Sequence, residues 1–525
     1  MKSKLLIVLV LLLGLFIRFY QINQLPPSLN WDEISHGYNA YSILKTGKDE
    51  WGISFPTIFR CFGDFKLPLY IYLTVPSVLF FGLNQFSIRL VSILAGSIVP
   101  LIIYLILKKI INKKSIIPYF GLIITAFSST TIFLSRIALE ANLFMLLFCL
   151  SLYFLINHKF GWSSFIFGLS LFTYNSSRVL LPFYFISLIY LLITTKFNFK
   201  KNFYKFLPFI FLVGLASFQI LNQSGQARYQ WVSLLDSGSI NHINELRQIY
   251  PRFLVNKVTY FTLAATKNYL SHFNPQFLFF NGGNHYQFSL PGFYLISPLF
   301  IPFLLLGLIY IFKNFKQSNL QLILFYWLIS PLPSSITRDA PHILRSIIFI
   351  PTTIIIISLG FIYLQKKHSK ISVFYLIATI LIGLATFWPK YIDYSKNYSS
   401  SWQYGYQQTV NFIKDNYHDY DQIIFTKKYG EAHEFILFYW PWNPSSYQKD
   451  PKLNWDYHAT WYWVNAFDKF KFINDWEIQE KTKSVNSKTL LITSPNNYNK
   501  DNSRLIKTIN FLNGQVAFEI LEINP

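Results

Sequence analysis

Apolar runs of about 20 residues recur along the chain, and short polar connections separate them. A helix needs about 20 such residues to cross the hydrocarbon core of a bilayer. The pattern therefore predicts an all-α polytopic membrane domain of about 11 transmembrane helices. We place them at residues 5–22, 86–107, 116–134, 140–156, 162–175, 179–195, 206–221, 291–312, 319–333, 344–364 and 371–388.

One further apolar segment does not fit this pattern. Residues 68–82 are apolar, but Pro76 interrupts them, so we predict an interfacial or re-entrant segment there.

The pattern changes near residue 389, after which polar and aromatic residues dominate. Helical periodicity at 403–416 precedes the strand-like run DQIIFTKK, the apolar helix EAHEFILFYW, and the strand-like runs TLLITSP and AFEILEI. Such alternation predicts an α/β domain. We therefore expect two domains, a membrane domain at 1–388 and an α/β domain at 389–525. Within the first, we expect external loops at 23–85 and 222–290.

The distribution of charge adds a topology to this picture. The 525 residues are 52% hydrophobic, and the net charge is +22. The lysines cluster between apolar runs rather than along one soluble face, which argues against nucleic acid as a partner. Cytoplasmic loops of membrane proteins carry such clusters. We expect a multi-pass plasma membrane protein with a cytoplasmic N-terminus and an extracytoplasmic C-terminal domain. The clusters lie at Lys2 and Lys4, Lys108–Lys114, Lys159, Lys196–Lys205, Lys313 and Lys316, and Lys366–Lys370.

The sequence gives no sign of a cofactor. Cys61 falls in the first external loop and Cys149 in a predicted span, so they are poor candidates for a disulfide. No zinc-ligand spacing, phosphate loop, dinucleotide fingerprint or nucleophile elbow is present. We assign no metal ligands, although carboxylates at one site could bind a divalent ion.

The first external loop carries the clearest candidates for chemistry. Asp32 and Glu33 stand just past the first predicted span, with His36 one turn later, and Asp64 and Lys66 precede the next apolar segment. A carboxylate there can accept a proton from a hydroxyl, and a lysine can hold a phosphate. Solvated charges are the simpler alternative, but the many aromatic residues of the loop favour a packed or interfacial segment.

Three later external turns carry further polar residues. SRIALEANL contains Arg136, Glu140 and Asn142, LFTYNSSRVLLP contains Tyr174 and Arg178, and PSSITRDAPHILRS contains Arg338, His342 and Arg345. Arg136 and Glu140 are four residues apart, on one face of any helix they share, so a local salt bridge is one interpretation. Arginines that anchor helix ends at the interface are the alternative for the rest. Buried charge near a membrane is costly, which favours function.

These motifs resemble a known family. WDEISHGYNAYSILKTGKDEWG, followed by FP and by FGDFKLPLYIYLTVPSVLFFGLNQFSIRL, is similar to the opening of GT-C glycosyltransferases of the protein O-mannosyltransferase and ArnT-like type. RDAPHILRS also resembles this family, whose members are integral membrane enzymes that use polyprenyl-phosphate sugars. The family's signature is an acidic residue in the first external loop and a lysine before a proline. Leu67 stands here where related enzymes often have a proline.

The resemblance implies roles for these residues. Asp32 would be the catalytic base, Glu140 a second acidic residue at the site, and Glu33 a rival for the base. The donor phosphate would rest on Lys66 and on Arg136, Arg178, Arg338 and Arg345, with His36, Asp64, Asn142, Tyr174 and His342 in support. A single displacement would transfer the sugar from a polyprenyl-phosphate-linked donor to a hydroxyl-bearing acceptor and invert the anomeric centre.

Two other classes of function stay open at this point. A transporter or flippase of lipid-linked sugars would also have many spans and membrane charges, although no repeat symmetry is visible. A non-catalytic scaffold is the third class. Neither the sugar nor the acceptor, whether protein, lipid or glycan, can be read from the sequence.

Overall fold

The computed structural model describes residues 2–111, 115–221, 231–483 and 485–523, without the side chains of Lys2, Ser3 and Asp64. Contacts between residues divide the chain into two compact units. The helical unit comprises residues 1–20 and 92–389, and the sheet unit comprises residues 21–91 and 390–525. The units change at residues 389/390, near the predicted change of composition, and most of the first loop belongs to the same unit as the C-terminal segment rather than to the helical unit.

A helix or a pair of helices lies at each of the eleven segments predicted to cross the membrane. Their bounds are Lys2–Phe19, Gln85–Ile110, Ile117–Phe127 with Ser129–Ser135, Glu140–Ile156, Phe160–Ser170, Ser176–Thr194, Leu207–Leu221, Ile301–Lys313, Ser318–Ile329, Phe349–Lys367 and Ser369–Asn397.

Fewer of these helices are long and apolar enough to cross a bilayer. Among the described residues there are five such helices, or six if Ile117–Phe127 and Ser129–Ser135, bent by 51°, form one span. The chain is thus a multi-pass membrane protein by the length and composition of its helices, while the predicted count of about eleven spans is not confirmed.

Glycines allow two helices of the helical unit to pack closely. A methyl group on Gly307 would overlap the carbonyl of Ile356, and one on Gly360 would overlap the carbonyl of Phe303. The helices Ile301–Lys313 and Phe349–Lys367 therefore approach backbone to backbone, as small residues permit between membrane helices.

Other described helices of the helical unit lie between the apolar ones. Ser237–Leu246 and Lys257–Ser271 fall where the sequence shows helical periodicity, within the long predicted loop. Short helices of this part of the chain lie at Phe199–Asn202, Phe203–Phe206, Gln276–Phe280, Pro298–Phe300 and Leu332–Ser335.

The first-loop segment of the sheet unit begins with a capped helix. Asn30 caps the helix Trp31–Thr46, because its side chain accepts from the backbone N–H of Glu33 and the Glu33 carboxylate accepts in return. A hairpin of strands β1 (Phe59–Cys61) and β2 (Asp64–Lys66) follows, and then the helix Pro68–Phe81. Pro76 lies inside that helix.

The C-terminal segment builds a seven-stranded sheet. Its strands are β3 (Gln422–Thr426), β4 (Asn454–His458), β5 (Trp461–Phe467), β6 (Phe470–Ile473), β7 (Thr489–Thr493), β8 (Ser503–Asn510) and β9 (Val516–Ile523). They are ordered β4-β5-β6-β3-β7-β9-β8. The central strands β6, β3 and β7 are parallel, and the outer pairs are antiparallel.

Short helices accompany this sheet, so the predicted α/β character is confirmed. Strands β3, β7 and β9 coincide with predicted strands, whereas β4, β5, β6 and β8 were not predicted. The helices lie at Tyr406–Asp415, Ala432–Tyr439, Pro444–Gln448 and Ile478–Lys481.

A shared core explains why the first loop belongs to the sheet unit. Leu29, Ile34 and Tyr38 are buried in one apolar cluster with residues of the C-terminal helices, among them Phe438. A methyl group on Gly37 would lie 2.5 Å from the Phe438 ring, so the two segments are in close contact. Burial of these side chains removes apolar surface from water, at about 25 cal/mol per Å².

Candidate functional site

Asp32 and Lys66 form an ion pair in the sheet unit. Asp32 lies in the first turn of the helix Trp31–Thr46, and Lys66 ends strand β2. The Lys66 Nζ lies 2.6 Å from the Asp32 Oδ1. The side chain of Asp32 is 27% exposed and that of Lys66 is 9% exposed, so the pair is shielded but reachable. The structure thus brings together the predicted base and the predicted phosphate-binding lysine.

The sheet holds the hairpin that carries Lys66. The N–H of Tyr462 donates to the Phe62 carbonyl at 3.1 Å. The ring of Phe62 stacks on Trp461 with centroids 5.6 Å apart. A side chain at Gly63 would overlap the carbonyl oxygen of Thr460, so the turn fits against β5 only with glycine there. The position of Lys66 therefore depends on the C-terminal sheet.

Glu33 has a different set of partners from its neighbour Asp32. Its carboxylate receives two hydrogen bonds from Arg89, at 2.9 and 3.0 Å, and both side chains are fully buried. Arg89 also donates to the carbonyls of Ile22 and Ser28, at 2.9 and 2.7 Å. With the capping bonds to Asn30, this network ties the start of the helix to the preceding turn.

His36 and Asp64 are the other two candidates in the first loop. His36 is buried one turn after Asp32, with its ring centroid 5.1 Å from that of Tyr70. The side chain of Asp64 lies outside the described residues.

In the helical unit, Arg136, Glu140 and Asn142 surround a break between two helices. Ser129–Ser135 ends just before Arg136, and Glu140 begins the next helix, so the two charged residues do not share a helix and the condition for a local i, i+4 salt bridge is not met. Arg136 is buried and donates to the carbonyls of Ile17 and Arg18, at 2.9 and 3.1 Å. Asn142 donates to the Ser92 carbonyl at 2.8 Å.

A separate cavity of the helical unit contains three predicted residues. Tyr174, Arg178 and Arg345 line a cavity of about 290 Å³, together with Asn175, Ser176, Val179, Ile220, Val232, Pro333, Ile336 and Thr337. Arg178 donates to the carbonyl of Leu171 at 3.2 Å and to the side chain of Gln219. Arg345 donates to the Thr337 hydroxyl at 2.7 Å and pairs with Asp339 at 3.2 Å. Two guanidinium groups in one cavity can bind an anion.

Arg338 and His342 have other surroundings. Arg338 forms an exposed ion pair with Asp236, at 3.3 Å. His342 is buried, and its backbone N–H donates to the Ser334 hydroxyl at 3.0 Å.

The sequence did not point to a cluster of buried polar residues in the sheet unit, formed by Glu50, Glu431, His433 and Glu434. Burial, reinforced for Glu50 by Asp49 and for Glu434 by Glu50, raises the pKa of both carboxyls well above the ordinary range. Burial raises the pKa of Glu431 to about 7 and lowers that of His433 to about 3. The run EAHE at 431–434 was the available signal, but it has no metal-site spacing by itself.

Comparisons with known proteins address the fold. No protein-family model matches the chain, and no curated protein matches it. The chain is similar to the solved structure of ArnT from Cupriavidus metallidurans in the apo state, with 11% identity, a TM-score of 0.52, and coverage of 99% of this chain and 98% of that chain.

Two further solved structures are similar at a lower level. ArnT from Cupriavidus metallidurans bound to undecaprenyl phosphate matches with 10% identity, a TM-score of 0.49, and coverage of 98% and 97% of the two chains. The oligosaccharyltransferase AglB from Archaeoglobus fulgidus, in complex with an inhibitory peptide and a dolichol-phosphate, matches with 12% identity, a TM-score of 0.47, and coverage of 82% and 63%. The similarity to apo ArnT confirms the predicted GT-C type of fold, and at this identity it concerns the fold alone.

Proposed function

We propose that the protein is an integral membrane glycosyltransferase that moves a sugar from a polyprenyl-phosphate donor to an acceptor hydroxyl, with inversion. The observation that carries this proposal is the 2.6 Å ion pair between Asp32 and Lys66 in the first loop. A carboxylate and an ammonium group in contact supply a proton acceptor and a phosphate ligand at one point. The similarity of the first-loop motifs to the family, together with the fold, supports the same activity.

The ion pair suggests how the site would be activated. When a donor phosphate binds, Lys66 can exchange its contact with Asp32 for one with the phosphate oxygens. Asp32 is then free to accept a proton, and its partial exposure leaves room for an acceptor hydroxyl. The hydroxyl oxygen attacks the anomeric carbon while the bond from that carbon to the phosphate oxygen breaks. The proton passes to Asp32, and the polyprenyl phosphate leaves with its charge facing Lys66.

Most of the remaining predicted residues fall into three groups. Tyr174, Arg178 and Arg345 share a cavity, which supports a role in anion binding. Arg136, whose described bonds go to backbone carbonyls, and Arg338, in an exposed ion pair, stay predictions for phosphate binding. Glu33 and Glu140 stay rivals for the base, although the buried bonds of Glu33 to Arg89 favour a structural role.

The topology also belongs to this proposal. The lysine clusters would face the cytoplasm, the site would face the outside of a plasma membrane, and eleven spans would connect the two surfaces. Reporter fusions at residues 200 and 368 should then report the cytoplasm, while a fusion at the C-terminus should not.

A transfer assay tests the activity. Deletion of the protein in cells should cause its lipid-linked sugar donor to accumulate. The purified full chain should then consume this donor and form a new glycosidic bond on an acceptor. Asp32→Asn keeps the shape but removes the proton acceptor, so turnover should fall by roughly 10² to 10⁴. Asp415→Asn, at an exposed residue of the same unit, is the matched control.

Two outcomes would contradict the proposal. Full transfer by Asp32→Asn, with loss of transfer in Glu140→Gln, would move the base to SRIALEANL. Net movement of the lipid-linked sugar across proteoliposomes, without a new glycosidic bond, would indicate a transporter.

A further inference from the structure

The buried cluster of the sheet unit brings the side chains of a histidine and two glutamates close together. One ring nitrogen of His433 and one carboxylate oxygen from each of Glu50 and Glu434 all lie within 4.8 Å of one another. Bonds of about 2.0–2.2 Å to a tetrahedral ion place two donors about 3.3–3.6 Å apart. Any donor pair at the 4.8 Å limit would therefore have to approach by about 1.2–1.5 Å to share an ion, which rotation of the two glutamate side chains can supply.

The histidine has a nitrogen available for this purpose. The Nδ1 of His433 lies 3.4 Å from the Oε2 of Glu431, and the side chain is 4% exposed. Its Nε2 is buried and has no hydrogen-bond partner among the residues that the structure describes. A buried nitrogen without a hydrogen-bond partner costs folding free energy. An ion at Nε2 would remove that cost.

The charges of the cluster are also out of balance. Lys427 acts on Glu431 and His433, favouring the ionised carboxylate and the neutral ring. The strongest influences on Glu50 and Glu434 are burial and neighbouring carboxyl groups. A dication beside Glu50 and Glu434 would balance the charge of two buried carboxylates.

We propose that Glu50, His433 and Glu434 bind a divalent transition-metal ion, with Zn²⁺ as the fitting example. One imidazole and two carboxylates form a donor set that zinc accepts, whereas Mg²⁺ and Ca²⁺ prefer oxygen donors alone. This site is separate from the Asp32–Lys66 pair and does not depend on the proposed glycosyl transfer.

The surrounding residues match what such a site requires. Glu431 faces the other ring nitrogen of His433, as carboxylates commonly do behind a histidine ligand. Glu431 itself accepts from the Trp461 indole N–H, which holds it in place. Asn39 donates to the Oε2 of Glu50 at 3.2 Å and accepts from the Glu50 backbone N–H at 3.1 Å. These contacts orient two of the three ligands.

The ion would have a structural role in the sheet unit. Glu50 belongs to the first-loop segment, while His433 and Glu434 belong to the C-terminal segment, and both segments build this unit. A shared ion would cross-link them and stabilise the arrangement that carries the hairpin of Lys66. Binding would release protons, since ligands must be deprotonated.

Metal content and thermal stability of the purified full chain test this proposal. Protein purified without chelator should carry about one zinc per chain, measured by mass spectrometry. Removal of the ion by a chelator should lower the melting temperature, and added Zn²⁺ should restore it, whereas Mg²⁺ should not. A chain that carries no zinc, and whose melting temperature responds to neither chelator nor Zn²⁺, would overturn the proposal.

Variants separate metal binding from folding. Glu434→Gln and His433→Gln should abolish stoichiometric zinc and the response to Zn²⁺, while Glu431→Gln should weaken affinity by about 10- to 100-fold. Glu434→Gln leaves a neutral side chain of nearly the same shape, so the variant should fold in chelator. His418→Gln with Glu480→Gln, both exposed in the same unit, is the matched control and should keep the zinc. Zinc retained at full affinity by both Glu434→Gln and His433→Gln would place the ion elsewhere.

Discussion

Asp32 and Glu33 are neighbours in sequence, yet the structure places them in opposite environments. Asp32 makes an ion pair with Lys66 and stays 27% exposed, whereas Glu33 receives two bonds from Arg89 in a fully buried network. A buried and fully bonded carboxylate cannot exchange partners without breaking the local structure. The Asp32–Lys66 pair is shielded but partly exposed, so it can exchange partners. The comparison suggests that chemistry belongs to Asp32 and stability to Glu33.

Substitution in the buried pair of Glu33 and Arg89 should give the largest effect on stability. Arg89→Leu leaves Glu33 without its counter-ion and the carbonyls of Ile22 and Ser28 without donors. The free energy of unfolding should fall by about 3–5 kcal/mol, measured by denaturant titration of the detergent-solubilised protein.

A second variant separates the charge from the carbonyl bonds. Arg89→Leu with Glu33→Gln removes the unpaired charge, so part of the lost stability should return, although the orphaned carbonyls remain. Stability of Arg89→Leu equal to that of the wild type would contradict the structural role of Glu33. At low denaturant, Glu33→Gln should keep its turnover per folded molecule.

The hairpin turn should show the next largest effect. Gly63→Ala forces a methyl group against the Thr460 carbonyl, so the hairpin has to move away from β5. Such overpacking costs typically about 1–3 kcal/mol. Because the hairpin ends at Lys66, transfer activity should fall along with stability. Gly238→Ala, where the methyl group would stay 3.6 Å from Asp236, is the control for the substitution itself. Unchanged activity and stability in Gly63→Ala would show that the hairpin is not held by β5.

Part of this comparison could be predicted from the sequence. The motif around Asp32 and Lys66 indicated both residues, because it is local and resembles a family. Spacing could not separate Asp32 from Glu33, since the difference arises from Arg89, which lies 56 residues after Glu33. A lone arginine in the apolar run QFSIRLVS was the only hint.

Other features depend on contacts that no local pattern encodes. The helical unit ends at residue 389, near the predicted change of composition, whereas the first loop belongs to the sheet unit because of its apolar contacts with residues such as Phe438. Strand β4, NWDYH, alternates polar and aromatic residues over only five positions, and strand β5, WYWVNAF, does not alternate. Glu50 and Glu434 lie far apart in sequence, so their cluster could not be anticipated.

The energetic coupling between Asp32 and Lys66 in the transfer reaction should be smaller than the effects of Arg89→Leu and Gly63→Ala. If the two residues act together, Asp32→Asn should cost less in transfer rate when Lys66 is already alanine. A double-mutant cycle on kcat/KM should give a coupling energy of about 0.5–3 kcal/mol. Asp415→Asn combined with Lys66→Ala should be additive within about 0.3–0.5 kcal/mol, as expected for independent sites. Additive effects of Asp32→Asn and Lys66→Ala would indicate that the ion pair has no part in the reaction.

The smallest effect on stability should come from substitutions of Arg338 or Asp236. These residues form an exposed ion pair, in contrast to the buried pair of Arg89 and Glu33. Their side chains are 45% and 39% exposed, so water screens the interaction and its loss should cost at most about 1 kcal/mol. Activity gives the sharper readout. If Arg338 binds the donor phosphate, Arg338→Ala should raise KM for the donor, whereas Asp236→Asn should leave it unchanged or lower it, because the arginine is freed. Equal and negligible changes in KM for both variants would show that Arg338 serves only the ion pair, and phosphate binding would then fall to the lysine and the remaining arginines.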